Sequence, residues 1–139
     1  MIQRIQSLWL FLAATCAALS FKFPFYSGNI IGKDNLPVPE RLIASSDFIL
    51  LILTILLSAG TLIILFLYKN RKQQLWLTVA AIAVSIINIV IYFTEIKKYT
   101  SGTYSLSGIF VFAIPVLLIL AARGIWQDEK LVKSVDRIR

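Results

Sequence analysis

The chain has 139 residues, of which 58% are hydrophobic, and it has a formal net charge of +7, one cysteine and no histidine. This composition fits no class of water-soluble protein, and the longest polar stretch, 22–47, is shorter than the roughly 50 residues that a separate soluble domain needs. The basic residues stand in short segments at the ends of hydrophobic runs, where they set membrane orientation. We therefore expect no nucleic-acid binding from the positive charge.

Four hydrophobic runs follow one another along the chain, and none contains Lys, Arg, Asp or Glu. Each has the roughly 17–25 residues that a helix needs to cross a hydrocarbon core of about 30 Å. The runs are continuous rather than alternating, so they predict helices and not barrel strands. The predicted helices cover residues 5–21, 48–68, 75–93 and 104–122. The first is interpreted as a retained helix rather than a cleaved signal, because its apolar character extends through Phe21 to spanning length.

The sequence thus predicts an all-α integral membrane protein in which residues 1–139 form a single bundle of four transmembrane helices. Its orientation follows from Lys and Arg, which are in excess on the cytoplasmic side of membrane proteins. Most of the fourteen basic residues lie on the side of the two termini, so both termini are predicted to be cytoplasmic. The basic residues on that side are Arg4, Lys69, Arg71, Lys72, Arg123, Lys130, Lys133, Arg137 and Arg139.

The two connections on the opposite side predict a small extracytoplasmic loop cap. Pro37 and Pro39 exclude a regular helix from the longer connection. Residues 30–31 lie between two turn signals, as a short strand would, and the shorter connection, 94–103, has the composition of extended backbone. Where the longer connection ends, Asp47 and the two serines before it predict an N-cap for the second helix.

Residues suited to catalysis are few. Seven acids are scattered over both faces, and the single cysteine, Cys16, lies inside the first hydrophobic run. Neither a nucleophile–base pair nor a metal cluster can be assembled from sequence neighbours, and no phosphate-binding loop occurs. No span carries a charged residue of the kind that proton-coupled transporters use. We expect no enzymatic activity, no catalytic residue, no cofactor and no metal.

Small and polar residues predict where the helices pack most closely. Ala81, Ser85 and Asn88 fall at i, i+4 and i+7 on one helix face, and Gly60 lies in the middle of the second helix. We favour a close-packed seam in which Asn88 faces protein and forms a hydrogen bond with a neighbouring helix. The alternative is a small polar cavity beside Asn88, near the bend that Pro115 is expected to produce.

The C-terminal tail, 127–139, predicts a short amphipathic helix on the cytoplasmic side. Its apolar residues Leu131, Val135 and Ile138 recur at i, i+4 and i+7. A helix this short is unstable alone in water, so we expect these three residues to dock on a surface. That surface is either a protein groove or the anionic inner leaflet, and we favour the protein groove.

Two terminal segments carry a resemblance to a known family. They are the opening Met1-Ile2-Gln3-Arg4-Ile5-Gln6 and the closing Asp128-Glu129-Lys130-Leu131-Val132-Lys133-Ser134-Val135-Asp136-Arg137-Ile138-Arg139. Over its whole length the chain resembles a family of small four-helix inner-membrane proteins that is found mainly in Bacteroidota and known only as a domain of unknown function. The resemblance implies a bacterial inner membrane and brings no catalytic residues. Because both segments lie on the predicted cytoplasmic side, that side is expected to make the specific contacts.

Three functions are compatible with these features, in order of preference. The first is a non-enzymatic accessory or scaffolding subunit of a larger inner-membrane complex, with membrane lipids and other inner-membrane proteins as its partners. The second is a small-molecule or lipid binder, or a channel, with an intramembrane pocket near Asn88 and Pro115. The third is an enzyme that acts on lipid through outer-loop acids such as Asp34 or Glu40.

Overall fold

The computed structural model describes the backbone of residues 2–138 and the side chains of residues 5–138. Four α-helices make up most of it: α1 (Ile2–Leu19), α2 (Phe48–Phe66), α3 (Arg71–Ile96) and α4 (Ile109–Ile138). Helix α1 packs along α4 and α2, and α3 packs along the same two helices, so the four form a ring with α1 and α3 at opposite corners. The side chain of Arg4 and the whole of Arg139, both counted in the predicted orientation, lie outside the described residues.

Three of the helices, α2, α3 and α4, are long and apolar enough to cross a membrane, and α1 has a shorter apolar part over Ile5–Leu19. A predominantly helical bundle of the membrane type is therefore confirmed. Helix α1 has 18 residues, which give about 27 Å of rise, and it ends before the predicted residue 21. The chain turns at residues 20–23 instead, because the following Pro24 cannot continue a helix.

Other helix boundaries differ from the predicted ones because hydrophobicity marks the part of a helix that lies in hydrocarbon, not its full length. The apolar runs predict α3 from residue 75, but the helix already begins at the polar residue Arg71. They predict the fourth helix from residue 104, but α4 begins at Ile109, after a 3-10 turn over Leu106–Gly108. Helix α4 then continues without a break into the tail. The tail is helical, as predicted, but it is the end of one helix of 30 residues, which is about 45 Å long.

A three-stranded antiparallel sheet lies at the end of the bundle where α1 ends and α2 begins. Its strands are β1 (Tyr26–Ile31), β2 (Pro37–Leu42) and β3 (Ser101–Tyr104), and β1 is the central strand. The all-α class is wrong in this respect, although the extended backbone expected at residues 30–31 and within 94–103 is present in β1 and β3. The pairing of these two strands joins residues more than 70 positions apart, which no local pattern reveals. We call this end of the bundle the cap end, and the opposite end, which contains the α2–α3 connection, the tail end.

The prolines of β2 suit its position at the edge of the sheet. The carbonyl oxygens of Leu36 and Leu42 accept hydrogen bonds from the chain at the two ends of β1. The alternate residues Pro37 and Pro39 therefore direct their backbone nitrogens toward the free edge. A proline nitrogen has no hydrogen to donate, so this edge offers fewer donors to another strand.

Aromatic packing joins the sheet to the bundle. The buried ring of Phe25 lies 4.6 Å from the ring of Tyr92 on α3 and 5.6 Å from the ring of Phe112 on α4, measured between centroids. The predicted cap of α2 is confirmed, since Oδ2 of Asp47 accepts a hydrogen bond of 3.2 Å from the backbone of Ile49. The aromatic contacts hold this end of the sheet against α3 and α4.

Candidate functional site

The interior of the bundle is polar along α3. The buried residues of this helix are Gln74, Thr78, Ser85, Asn88 and Tyr92, and each of them carries a polar group. They are separated by four, seven, three and four residues, so they lie on one face of the helix and form a stripe toward its neighbours. The exposed residues between them are mostly apolar, as contact with lipid requires. Helix α3 therefore brings a column of polar groups into the centre of the bundle.

Most hydroxyl groups in this interior are satisfied within their own helices. Thr78 donates to the carbonyl oxygen of Gln74 at 2.7 Å, and Ser85 donates to that of Ile82 at the same distance. Ala81 is half-buried on the same face of α3. Ala81 and Ser85 therefore lie on the face of α3 where the seam was predicted, and close helix packing through them stays a prediction.

Three buried polar atoms in the half of the interior nearer the cap end have no hydrogen-bond partner among the described residues. They are Oγ1 of Thr54, Oδ1 of Asn88 and the hydroxyl oxygen of Tyr92. Ser20 and Thr54 lie beside the Tyr92 hydroxyl without meeting hydrogen-bond geometry. Asn88 is buried, and its Oδ1 atom accepts no hydrogen bond from a described residue. An unpaired buried polar group costs about 1–3 kcal/mol, so these three atoms are the least satisfied polar groups of the described interior.

The prediction that Gly60 makes a close helix contact is wrong within this chain. A Cβ atom built on Gly60 would meet no heavy atom within 4 Å. Gly60 instead lines an apolar groove of about 250 Å³ between α2 and α3, together with Ala80 and Ala81. The small side chains on both helices leave this groove open on the outside of the pair.

The two terminal segments of the chain meet at the tail end. Nε2 of Gln6 on α1 donates a hydrogen bond of 2.6 Å to Oδ2 of Asp128 on α4, and both side chains are buried. The helices are close together here, because a Cβ atom on Gly124 would lie 2.8 Å from Cγ of Gln6. The two bonded residues are 122 positions apart, so sequence reasoning missed the pair and no local signal could have found it.

Helices α2 and α3 complete this polar cluster. Nε2 of Gln74 donates to the carbonyl oxygen of Ile64 at 3.2 Å, and the Arg71 guanidinium donates to the carbonyl oxygen of Asp128 at 3.4 Å. We call Gln6, Arg71, Gln74 and Asp128 the tail-end junction. It joins all four helices by hydrogen bonds. Gln74 lies four residues before Thr78 and seven before Ala81, so it shares their face of α3. Extending this spacing by one turn is the sequence signal that would have identified Gln74.

A cleft of about 420 Å³ lies beside the tail-end junction, between the α2–α3 connection and α4. Lys69, Arg71 and Lys72 line one side, and Glu129 and Lys133 line the other. Nζ of Lys133 lies 3.0 Å from Oε1 of Glu129. We call this site the basic cleft. Its chemistry is that of an anion-binding site.

Beyond Asp128, α4 extends past the other helices. The residues predicted to dock, Leu131, Val135 and Ile138, are 51%, 59% and 86% exposed. Asp128 is the last of the buried residues of α4, so it lies on the side of the helix that faces the bundle. The apolar face of the tail is thus available to another molecule.

The acids considered for lipid chemistry, Asp34 and Glu40, lie away from these sites, on the exposed hairpin of β1 and β2. Asp34 is in the connecting turn, and Glu40 is on β2 opposite Gly28.

At the end of α3, the carboxylate of Glu95 accepts two hydrogen bonds of 2.8 Å from Lys98 and thereby raises the pKa of Lys98. Over residues 2–138, no three Cys, Asp or Glu side chains form a group that would hold a metal ion.

Long apolar helices that enclose a polar interior are characteristic of a helical membrane protein, and this chain has both features. Across residues 2–138 the sequence matches the family model of a domain of unknown function (DUF4293), and the chain belongs to that family. The resemblance of its terminal segments to such a family is confirmed. No curated protein matches the chain.

Proposed function

We propose that this chain is a non-enzymatic accessory or scaffolding subunit of a larger complex in a bacterial inner membrane. In this proposal all four helices cross the bilayer, the sheet faces away from the cytoplasm, and both termini are cytoplasmic. The charge distribution supports this orientation, because the basic cleft and the basic residues of the tail share one end of the bundle. The length of α1 supports its crossing, since about 27 Å nearly matches a hydrocarbon core of about 30 Å.

The observation that carries the proposal is the exposed end of α4. The buried residues of α4 recur at intervals of three and four: Val111, Ile114, Leu118, Ala121, Ile125 and Asp128. The same spacing continues to Leu131, Val135 and Ile138, which are 51%, 59% and 86% exposed. A stripe that packs against neighbouring helices as far as Asp128 therefore continues with no helix opposite it. A helix of a partner protein would complete the packing.

The groove beside Gly60 supports the same conclusion. Its walls are apolar, and it opens toward the lipid between α2 and α3. Small residues on the outside of a membrane helix allow another helix to approach closely, which is how helices associate where the hydrophobic effect does not drive them together. Gly60, Ala80 and Ala81 offer such a surface to a partner within the bilayer.

Leu131→Asp combined with Val135→Asp is expected to remove a stoichiometric membrane partner that co-purifies with the wild-type chain in mild detergent. The reason is that each of the two substitutions places a charged carboxylate in a contact that is otherwise apolar, which weakens the binding of the partner. The measurement is quantitative mass spectrometry of the purified complex from native membranes. Ser134→Asp is the control, because it adds a carboxylate on another face of the same tail, and it is expected to retain the partner. Loss of the partner from both proteins, or from neither, would contradict docking through the apolar face.

The three unpartnered interior atoms favour a second candidate function, which is binding or passage of a small polar molecule near Asn88 and Pro115. Pro115 adds an acceptor to this region, since it has no N–H for the carbonyl oxygen of Val111. In this candidate the guest donates to Thr54, Asn88 and Tyr92. Their burial on two helices supports a site that is closed to lipid.

Asn88→Leu tests this candidate. If a polar guest is bound, the variant is expected to lower the free energy of unfolding in detergent by about 1–3 kcal/mol, since the guest loses an acceptor. Ile87→Leu, on the exposed side of α3, is the control and is expected to be neutral. A free energy of unfolding that is unchanged or higher in Asn88→Leu would show a dry interior and remove the candidate.

A further inference from the structure

We propose that the basic cleft binds the phosphate group of an anionic membrane phospholipid. The cleft is concave and has a volume of about 420 Å³, and its two walls come from different parts of the chain. Basic clefts between transmembrane helices, at the level of the lipid headgroups, are suited to phospholipid phosphates. The proposal rests on membrane insertion and is independent of the accessory role.

The cleft has positive charge that the protein does not neutralise. Among the described residues, Lys69, Arg71 and Lys72 form no ion pair with a carboxylate. The one acid that lines the cleft, Glu129, is already paired with Lys133 at 3.0 Å. Arg71 is held in place by its bond to the carbonyl oxygen of Asp128, which leaves other guanidinium N–H groups free to donate. An anion in the cleft would therefore neutralise the positive charge of these three unpaired side chains.

A second basic cleft adjoins the first on the far side of Lys133. It is lined by Trp126, Lys130, Ser134 and Arg137, and the ion pair of Glu129 and Lys133 is common to both clefts. Nζ of Lys130 lies 5.6 Å from the centre of the Trp126 ring. Exposed tryptophan side chains of membrane proteins concentrate at the headgroup level. Trp126 therefore places both clefts at the depth where lipid phosphates lie.

The acids of the tail do not oppose this binding. From the sequence alone, Asp128, Glu129 and Asp136 would repel an anionic leaflet. In the structure Asp128 turns into the bundle toward Gln6, and Glu129 is paired with Lys133. Only Asp136 is both exposed and unpaired among the described residues of the tail. The basic residues thus dominate the charge that a lipid would meet.

The basic cleft and the apolar face of the tail can be occupied together. Lys133 is two positions from both Leu131 and Val135, which is about 200° around a helix with 3.6 residues per turn. A lipid in the cleft and a protein partner on the apolar face would therefore approach α4 from opposite sides. The α2 and α3 ends beside the cleft carry the exposed aromatic residues Phe66 and Trp76, over which acyl chains can lie.

Titration of dioleoyl phosphatidylglycerol into the protein in neutral detergent, followed by native mass spectrometry, tests the proposal. Wild-type protein is expected to bind this lipid more tightly than dioleoyl phosphatidylcholine. Lys69→Gln combined with Lys72→Gln is expected to raise the Kd for phosphatidylglycerol roughly 30-fold, because each lysine near an anionic lipid surface contributes about 1 kcal/mol and 1.4 kcal/mol is tenfold. Both lysines are exposed, so the melting temperature is expected to remain that of the wild type.

Lys33→Gln combined with Lys97→Gln is the matched control, since it removes the same charge at the cap end and should leave the Kd unchanged. An equal loss in the control would show that net charge alone attracts the lipid, and it would overturn the proposal.

Displacement of the lipid by inorganic phosphate would identify a site for soluble anions instead. Displacement by poly-glutamate at low salt would identify a site for acidic protein. The lysine variants are expected to keep any partner protein that the Leu131→Asp and Val135→Asp variant loses, so the two proposals can fail separately.

Discussion

Gln6→Leu is expected to lower the free energy of unfolding by about 2–3 kcal/mol, because it leaves the buried carboxylate of Asp128 without its side-chain donor. Hydrogen bonds to a carboxylate are stronger than those between neutral groups. The bond of 2.6 Å also connects α1 to α4 at the tail end, where Arg71 reaches only the backbone of Asp128. The measurement is reversible unfolding of the purified protein in mixed micelles of a mild detergent and dodecyl sulfate.

A double-mutant cycle separates the hydrogen bond from other effects of the substitution. Gln6→Leu combined with Asp128→Leu removes both polar groups, so it is expected to recover most of the stability that Gln6→Leu loses. Gln127→Leu is the control for added apolar surface, since Gln127 is the exposed neighbour of Asp128. Additive losses in the cycle would mean that the two side chains do not depend on each other.

Hydropathy was sufficient to predict the helical bundle, because an apolar run long enough to span a bilayer marks a helix surrounded by hydrocarbon. It also located the buried stripe of α3 through Ala81, Ser85 and Asn88, since a polar residue in a membrane helix faces protein rather than lipid. The N-cap at Asp47 was predictable because its chemistry is local. These features depend only on neighbours in sequence or on the surrounding medium.

Features that depend on distant residues could not be predicted in this way. The sheet forms because β1 pairs with β3, and its middle requires Gly28 opposite Gly102, where any side chain would clash with the facing backbone. The bond between Gln6 and Asp128 depends on α1 lying along α4. The basic cleft likewise arises because α4 continues as one helix past the α2–α3 connection.

Two glycines show the same difference between what a local pattern predicts and what depends on distant residues. Gly60 and Gly124 both lie inside long helices, and the sequence drew attention only to Gly60. In the structure Gly60 borders open space, whereas Gly124 is where α1 approaches α4. Glycine in a helix interior costs about 1 kcal/mol relative to alanine, and only at Gly124 does packing within the described chain account for that cost.

Gly124→Leu is therefore expected to destabilise the fold by about 1–3 kcal/mol, the typical cost of excess volume in a packed interior. Its Cβ atom alone would lie 2.8 Å from Cγ of Gln6, so the Gln6 side chain or the whole of α1 must shift, and the bond from Gln6 to Asp128 is expected to lengthen or break. Unfolding in mixed micelles measures the loss, and a disulfide trap between cysteines placed on α1 and α4 near this level would report the separation of the helices.

Gly60→Leu is the matched control, because it makes the same substitution in a helix where a Cβ atom meets no heavy atom within 4 Å. Leucine is the better helix former, so the isolated protein is expected to be as stable as the wild type or more stable. Similar losses at the two positions would contradict the close contact of α1 with α4. Gly60→Leu also fills the groove between α2 and α3, so an unchanged fold combined with a lost partner would identify that groove as a second contact of the proposed complex.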